Sequence, residues 1–342
     1  MDVFIHRSVK SLALIGQGAL FIALLILAGC TPRAATASLL LGGDVILYRG
    51  GDALFSDTSI DGSPWGDVLR IRTDEPSSLF AVNLESPFGR IAGGVNTGNL
   101  DMNLCADDSA VALLQQTELN LATCANNHAC DCGDTKSAHT QQVLKDAGIS
   151  SLGGDSDVLY LPAGEQTVAF ISLNDYDGNY DLDSVEELLG SARRESDLVV
   201  VSVHWGSEYQ GGPTRHQEQL AGVLVDAGAD LVWGHHPHVL QRMEWVRSTV
   251  DGHTALVMYS LGNLLSDQWM LPDALRTALV KIEFENHQVK AVSVIPLVMD
   301  IETGSLSAVR DQATLQWIHE RLGLDELENI DVIVEPWQPA FE

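Results

Sequence analysis

Five short apolar runs along the chain each break off at a residue with chemistry to offer. Residues 38–41 run through Gly42-Gly43 to Asp44, 79–82 into Asn83-Leu84-Glu85, and 119–124 into Ala125-Asn126-Asn127-His128. Residues 198–203 run into His204-Trp205-Gly206, and Leu231-Val232-Trp233 into Gly234-His235-His236-Pro237-His238. Runs of this length, closed by glycine or polar residues, predict buried strands. In the last run Gly234 is expected to open the loop, so its histidines would lie beyond the strand's carboxyl end, where open α/β sheets place ligands. Amphipathic segments at 108–118, 134–147 and 215–227 lie between the runs, and this alternation predicts a layered α/β fold. Farther on, 255–259, 279–285 and 289–297 read as strands, the last two joined as a hairpin by Asn286-His287-Gln288, and 311–322 as a final helix before an acidic tail. No repeat of fixed period, heptad pattern or linker interrupts the chain, so one domain with two packed sheets is expected.

The amino terminus follows a different pattern. Arg7 and Lys10 precede an apolar stretch over 12–28 that leads into Leu27-Ala28-Gly29-Cys30. A basic start, an apolar middle and small residues at the end describe an export signal. The form Leu-Ala-Gly-Cys resembles the lipobox of bacterial lipoproteins, which implies cleavage before Cys30 and acylation of its sulfur. An uncleaved membrane anchor is the competing reading, weakened by Gln17 and the glycines of the stretch. Under both, the folded part lies outside the cytoplasm, tethered to a membrane. The expected organisation is a signal at 1–29, a tether at 30–37, one domain over 38–300, and a helix with an acidic tail over 301–342 packed on it.

Composition narrows the partners. The 342 residues are 45% hydrophobic, enough for a sizeable core, and carry a formal charge of −28. Removing 1–29 takes away Arg7, Lys10 and Asp2, a net +1, leaving −29. Such a charge excludes nucleic acid as a natural partner, and an anionic polymer would need cations to mediate its contact. Beyond Cys30, Cys105, Cys124, Cys130 and Cys132 cluster within 28 positions. In an exported protein this set predicts one or two disulfides, with three complete pairings open. A zinc site competes, although Cys130-x-Cys132 lacks the usual two-residue spacing.

The strand-end residues Asp44, Glu85, Asn127, His128, His204, His236 and His238 combine carboxylates, a carboxamide and imidazoles. That mixed oxygen and nitrogen set suits manganese, zinc or iron, as one or two ions, better than calcium. Two adjacent ions bridged by a carboxylate would stabilise the attacking and leaving oxygens of a hydrolysis. Each residue alone has a plainer reading: Asp44 as a strand-end cap, Glu85 as a turn carboxylate, Asn127 as a partner of local backbone, and His128 and His204 as hydrogen-bonded pocket histidines. The ordered set outweighs these. Trp205, Trp233 and Tyr259 read as core or pocket wall, His139, His216 and His253 as surface or structural residues, and His235 as pointing away from the site.

Taken in order, Gly43-Asp44-Val45, Asn83-Leu84-Glu85, Ala125-Asn126-Asn127-His128 with Asp131 and Gly133, His204-Trp205-Gly206, Gly234-His235-His236-Pro237-His238-Val239-Leu240-Gln241 and Tyr259-Ser260-Leu261-Gly262-Asn263 resemble the bacterial CapA proteins of capsule and poly-γ-glutamate synthesis. The domain of that family is similar to the calcineurin-like metallophosphatases. The resemblance spans about residues 38–300 and implies a four-layer α/β/β/α sandwich, two packed mixed sheets flanked by helices. It implies that Asp44 ligates a first metal, that Glu85 is the bridging carboxylate, and that Asn127, His204 and His236 hold a second metal, with His238 returning to the first. His128 matches the non-ligand histidine that faces substrate and donates a proton, and Asp131 would orient it. One departure is plain: the metallophosphatases begin with D-x-H, whereas Asp44-Val45-Ile46 supplies no histidine.

Two functions follow. One is a membrane-tethered metallohydrolase acting on a phosphoester or on an amide bond of a surface polymer. The other is a non-catalytic accessory protein that assembles, anchors or exports an anionic capsule polymer within its synthesis complex. A general extracytoplasmic metal-binding protein is a third, weaker reading. Gly-x-Ser-x-Gly is absent, so no serine-hydrolase order competes.

Overall fold

A computed structural model describes residues 37–49, 52–55, 62–89, 103–133, 137–153, 158–178, 181–327 and 331–334. The signal segment and Cys30 lie outside the described residues, as do 328–330 and 335–342 of the acidic tail. The chain first lays down β1 (Ala37–Val45), a ribbon of β2 (Tyr48–Arg49) and β3 (Asp52–Ala53), α1 (Asp67–Asp74), β4 (Leu79–Leu84), α2 (Val111–Gln115), β5 (Leu121–Thr123), α3 (Ser137–Asp146) and β6 (Ser150–Leu152). The middle of the chain forms β7 (Leu159–Ala163), β8 (Gln166–Asn174), α4 (Leu182–Glu195), β9 (Leu198–His204), α5 (Arg215–Ala227), β10 (Leu231–His235), β11 (Leu240–Arg247) and β12 (Thr254–Leu261). It closes with β13 (Asn263–Leu265), β14 (Arg276–Glu285), β15 (Gln288–Asp300), β16 (Ser305–Ala308), α6 (Gln312–Leu322) and β17 (Asp331–Val334).

These strands form two mixed sheets. The first runs β16-β15-β14-β1-β4-β5-β6, with β13 beside the end of β1 and β17 along β15; the second runs β11-β12-β10-β9-β8-β7. Side chains alternate between the two faces of a strand, and this period separates three apolar layers. On β1, Leu39 and Leu41 enter the core between the sheets, while Leu40 joins the layer beneath the helices. On β9, Val200 points between the sheets, and Val199 and Val201 point toward α4 and α5. Val68, Ile71, Leu113 and Leu144 of α1, α2 and α3 cover the first sheet. Val185 and Leu189 of α4 and Leu220 and Leu224 of α5 cover the second. The result is the four-layer α/β/β/α sandwich. Leu315, Ile318 and Leu322 of α6 enter the core between the sheets.

Local chemistry sets the boundaries. Thr214 and Gln217 form a reciprocal capping box that opens α5, and Gly228 closes it at φ 117°. The expected helix at 108–118 is shorter: Asp107 accepts from Ser109 N and nucleates a tight turn over Asp108–Ala110 before α2, and Glu118 turns away at φ 51°. In the β14–β15 hairpin Glu285 pairs with Gln288, so the loop is the two residues Asn286 and His287 rather than three. Both have positive φ, 48° and 59°, the conformation that matches strand twist in a two-residue loop.

Candidate metal centre

Strand ends from both sheets meet at one edge of the inter-sheet core. Asp44 is the penultimate residue of β1 and Glu85 follows β4, and both are fully buried. The backbone can approach here because Gly43 packs against the Gly262 carbonyl oxygen, where a Cβ would collide. Asp44 N donates to that same oxygen at 2.9 Å. His204 ends β9 directly opposite His235 of β10. His236 N then donates to Asp44 Oδ2 at 3.1 Å, joining the second sheet to the first. His236 and His238 both take positive φ, 92° and 57°, a backbone cost for non-glycine residues that marks a constrained loop.

The side chains converge. His238 Nδ1 lies 2.9 Å from Asn263 Oδ1 and 3.4 Å from Asp44 Oδ2, and its Nε2 lies 4.0 Å from Glu85 Oε2. A proton on Nδ1, donated to Asn263, leaves Nε2 as the ligating atom. His204 Nε2 lies 2.7 Å from Asn127 Oδ1, and the His204 and His236 rings are 4.8 Å apart. His128 sits nearer the surface with Nδ1 2.9 Å from Asp131 Oδ2. Asp131 also accepts from Leu104 N at 2.7 Å. The 127–133 segment is a chain of turns rather than a helix, with Asp131 N on His128 O at 2.9 Å and Gly133 N on Cys130 O at 2.7 Å.

Two groups of ligand atoms come within 4.8 Å of one another: Asp44, Glu85 and His204, and Glu208, His236 and His238. The buried atoms Glu85 Oε2, His204 Nδ1 and His236 Nδ1 have no hydrogen-bond partner among the described residues. Buried polar atoms are nearly always satisfied, so orphans facing a cluster of acids and imidazoles fit a divalent ion. Electrostatics agree. Burial pushes the Glu85 carboxyl up to about 7, with Asp44 adding to it and His238 opposing. Burial opposes charge on His238, but Glu85 and Asp44 outweigh it and raise it to about 9. Burial, then the neighbouring imidazoles, lowers His236 to about 4 and holds His204 well below its usual value, so both offer a neutral lone pair. Burial also disfavours charge on Asp44, yet His235 and His238 hold its carboxyl well below the usual range.

The structure corrects two expectations and adds several residues. β10 continues through Gly234 to His235, because its pairing with β9 runs on to His204. Alternation then puts His235 on the face of Trp233, toward the first sheet, so it does not point away: it is buried with Nδ1 3.3 Å from Asp44 Oδ1. Trp205 and Trp233 are core residues whose indole N–H groups donate to Tyr259 O and Gly42 O. Asn83 donates to Asp44 Oδ1 at 2.8 Å and accepts from Asn126 Nδ2, whose own Oδ1 receives His128 N. This carboxamide chain ties the three loops of the first sheet together. Tyr176 follows β8 and packs on His236 at 4.6 Å; Tyr209 packs on His238 at 6.0 Å. Neither was evident in the sequence, although Glu208 and Tyr209 lie four and five residues after His204. His139, His216 and His253 pair with Asp108, Asp175 and Asp251. Of the cysteines, Cys105 and Cys132 form a disulfide with Cα atoms 5.0 Å apart, while Cys124 is buried and free and Cys130 exposed and free. No zinc-type cysteine cluster occurs among the described residues.

Residues 38–268 match the family described as bacterial capsule synthesis protein PGA_cap. The chain belongs to this family. Among its relatives, the PGA biosynthesis protein CapA of Bacillus subtilis is 31% identical over 212 residues, 56% of this chain and 54% of its own length. The capsule biosynthesis protein CapA of Bacillus anthracis is 28% identical over 249 residues, 66% of this chain and 58% of its own. The chain thus spans little more than half the length of these relatives. A solved structure described as a novel phosphatase, from Mycoplasma pneumoniae, has the same fold at 11% identity and a TM-score of 0.50, over 82% of this chain and 96% of that one.

Proposed function

We propose that this PGA_cap chain serves the synthesis or export of an anionic capsule polymer of the poly-γ-glutamate kind, from an extracytoplasmic position tethered through Cys30, with a metal-dependent hydrolytic centre at the strand ends. The observation that carries the metal centre is the burial of Glu85 Oε2 and His236 Nδ1 without a partner among converging acids and imidazoles. Leaving such groups unsatisfied costs about 1–3 kcal/mol each, a cost that ligation would reverse. One or two divalent ions of manganese, zinc or iron, held by Asp44, Glu85, Asn127, His204, His236 and His238, would supply Lewis-acid activation of water and of the attacked group. The names of the relatives and the family match support the polymer. The Cys105–Cys132 disulfide supports an oxidising compartment, and the export-type segment before Cys30 supports the tether.

The remaining chemistry falls to the chain's own residues. Asp131 accepts a hydrogen bond from His128 Nδ1–H and fixes the ring, so Nε2 faces the leaving group and, when the ring is an imidazolium, is the atom that passes a proton to it. Tyr176 and Tyr209, both exposed beside the metal-facing histidines, form the walls against which a substrate lies. Cations held there would also offset the repulsion between a chain of charge −28 and an anionic polymer.

One observation favours a second reading, an accessory protein without turnover. Ile46, where metallophosphatases place a histidine, is buried and offers no ligand. Purified protein loaded with Mn²⁺ is tested on poly-γ-glutamate and on a chromogenic phosphodiester. Cleavage of either by the native chain and its loss in His128→Ala support the hydrolase; a loaded protein inert on both supports the accessory reading.

A further inference from the structure

Glu208 belongs to no strand end and matches no ligand position of the metallophosphatase pattern. It stands in the exposed loop Ser207-Glu208-Tyr209, yet one of its carboxylate oxygens lies within 4.8 Å of ligand atoms of both His236 and His238. The chain builds this placement deliberately. Gly206 turns at φ 85° against the Gln217 side chain, where a Cβ would meet the carboxamide. Gln217 is itself fixed by the α5 capping box and by Gln241 Oε1 at 3.0 Å. Three residues after Gly206, Tyr209 N donates to Pro237 O at 2.8 Å, which clamps the Glu208 loop to the turn between His236 and His238. An exposed glutamate would not need a buried anchor on each side of it.

Three facts then bear on one position. The centre is short of an imidazole, because the buried Ile46 stands where the metallophosphatase pattern has a histidine. His236 Nδ1 is buried and unpartnered. A carboxylate with two imidazoles is a complete three-ligand face for a first-row divalent ion, leaving its other positions open. We infer that Glu208 is a metal ligand, completing with His236 and His238 an outer ion site beside the buried Asp44–Glu85–His204 group, an added carboxylate in a centre that is one imidazole short. This inference rests on the metal-centre reading above and deepens it. Substituting a carboxylate for an imidazole makes the site harder and more anionic, which shifts preference from zinc toward manganese or ferrous iron.

The test uses the full chain stripped with chelator, titrated separately with Mn²⁺ and Zn²⁺ by calorimetry, with bound metal counted by elemental analysis. Glu208→Gln removes the charge and keeps the shape; Glu208→Ala removes both. Because Glu208 is exposed, the fold should survive, which circular dichroism checks. The expected result is loss of one bound ion, or Mn²⁺ affinity lower by at least roughly tenfold, the lower bound for even an indirect partner of a ligand. Native-like stoichiometry and affinity in both variants overturns this inference while leaving the centre intact. A native chain that binds neither ion overturns both.

Discussion

Asn263 offers a sharp perturbation because its side chain reaches the centre through its hydrogen bond to His238. Its Oδ1 accepts from His238 Nδ1 at 2.9 Å, while its Nδ2 donates away from the site to Gln268 Oε1 at 2.7 Å. In Asn263→Ala the His238 ring loses the acceptor that fixes its tautomer, and the other acceptor in reach is Asp44 Oδ2, 3.4 Å away. A fully orphaned buried donor would cost about 1–3 kcal/mol; recapture by Asp44 brings the loss in metal-free stability to the low end, about 1 kcal/mol. The metal-bound state suffers more, because recapture swings the ring and draws on a carboxylate that is itself a ligand. Outer partners of ligating histidines contribute about 10–100-fold in metal affinity, or about 1.4–2.7 kcal/mol. Calorimetric titration of stripped protein with Mn²⁺, beside thermal melts of the metal-free form, separates the two effects. Asn263→Asp, which keeps an acceptor at the same place, should bind like the native chain. Mn²⁺ binding by Asn263→Ala within about twofold of native would show that His238 needs no outer acceptor.

Further predictions follow from the same geometry. Metal binding should release protons, because His238 is raised to about 9 by Glu85 and Asp44, and Glu85 is raised to about 7 by burial. Affinity therefore rises with pH between about 6 and 9 and falls as acid returns protons to both ligands; titrations in buffers of differing ionisation enthalpy count the protons. Cys130 should be alkylated in the native protein and Cys124 only after unfolding, since burial pushes the Cys124 thiol up to about 12, as peptide mapping would show. Cys105→Ser should lower stability by about 3–4 kcal/mol, the loop-closure value for a separation of 27, read by denaturant unfolding. His235→Ala should cost metal affinity without removing a bound ion, because His235 buttresses Asp44 rather than ligating.

Much of the centre was legible because strands buried on both faces read as unbroken apolar runs, and their ends announce the site. β1, β4, β5, β9 and β10 were visible in this way, and with them Asp44, Glu85, Asn127, His204, His236 and His238. Gly234 misled: it signals a loop, yet it stays in β10 paired with Val203, and it is a glycine because a Cβ there would strike Tyr259 O and the Trp205 indole. That single extra strand residue turned His235 inward. Glu208, Tyr209 and Tyr176 were hidden for another reason. They follow strand ends by a few residues in loops whose path depends on bonds such as Tyr209 to Pro237, which no local pattern encodes. The disulfide was open among three pairings until the turns after β5 brought Cys132 to Cys105.

Elemental analysis of the chain purified without chelator decides whether these strand ends hold metal. About one to two equivalents of manganese, iron or zinc are expected in the native protein, lost in Glu85→Gln combined with His204→Ala while the fold persists. A folded native chain that carries no transition metal, and takes up none when incubated with each ion, would contradict that expectation.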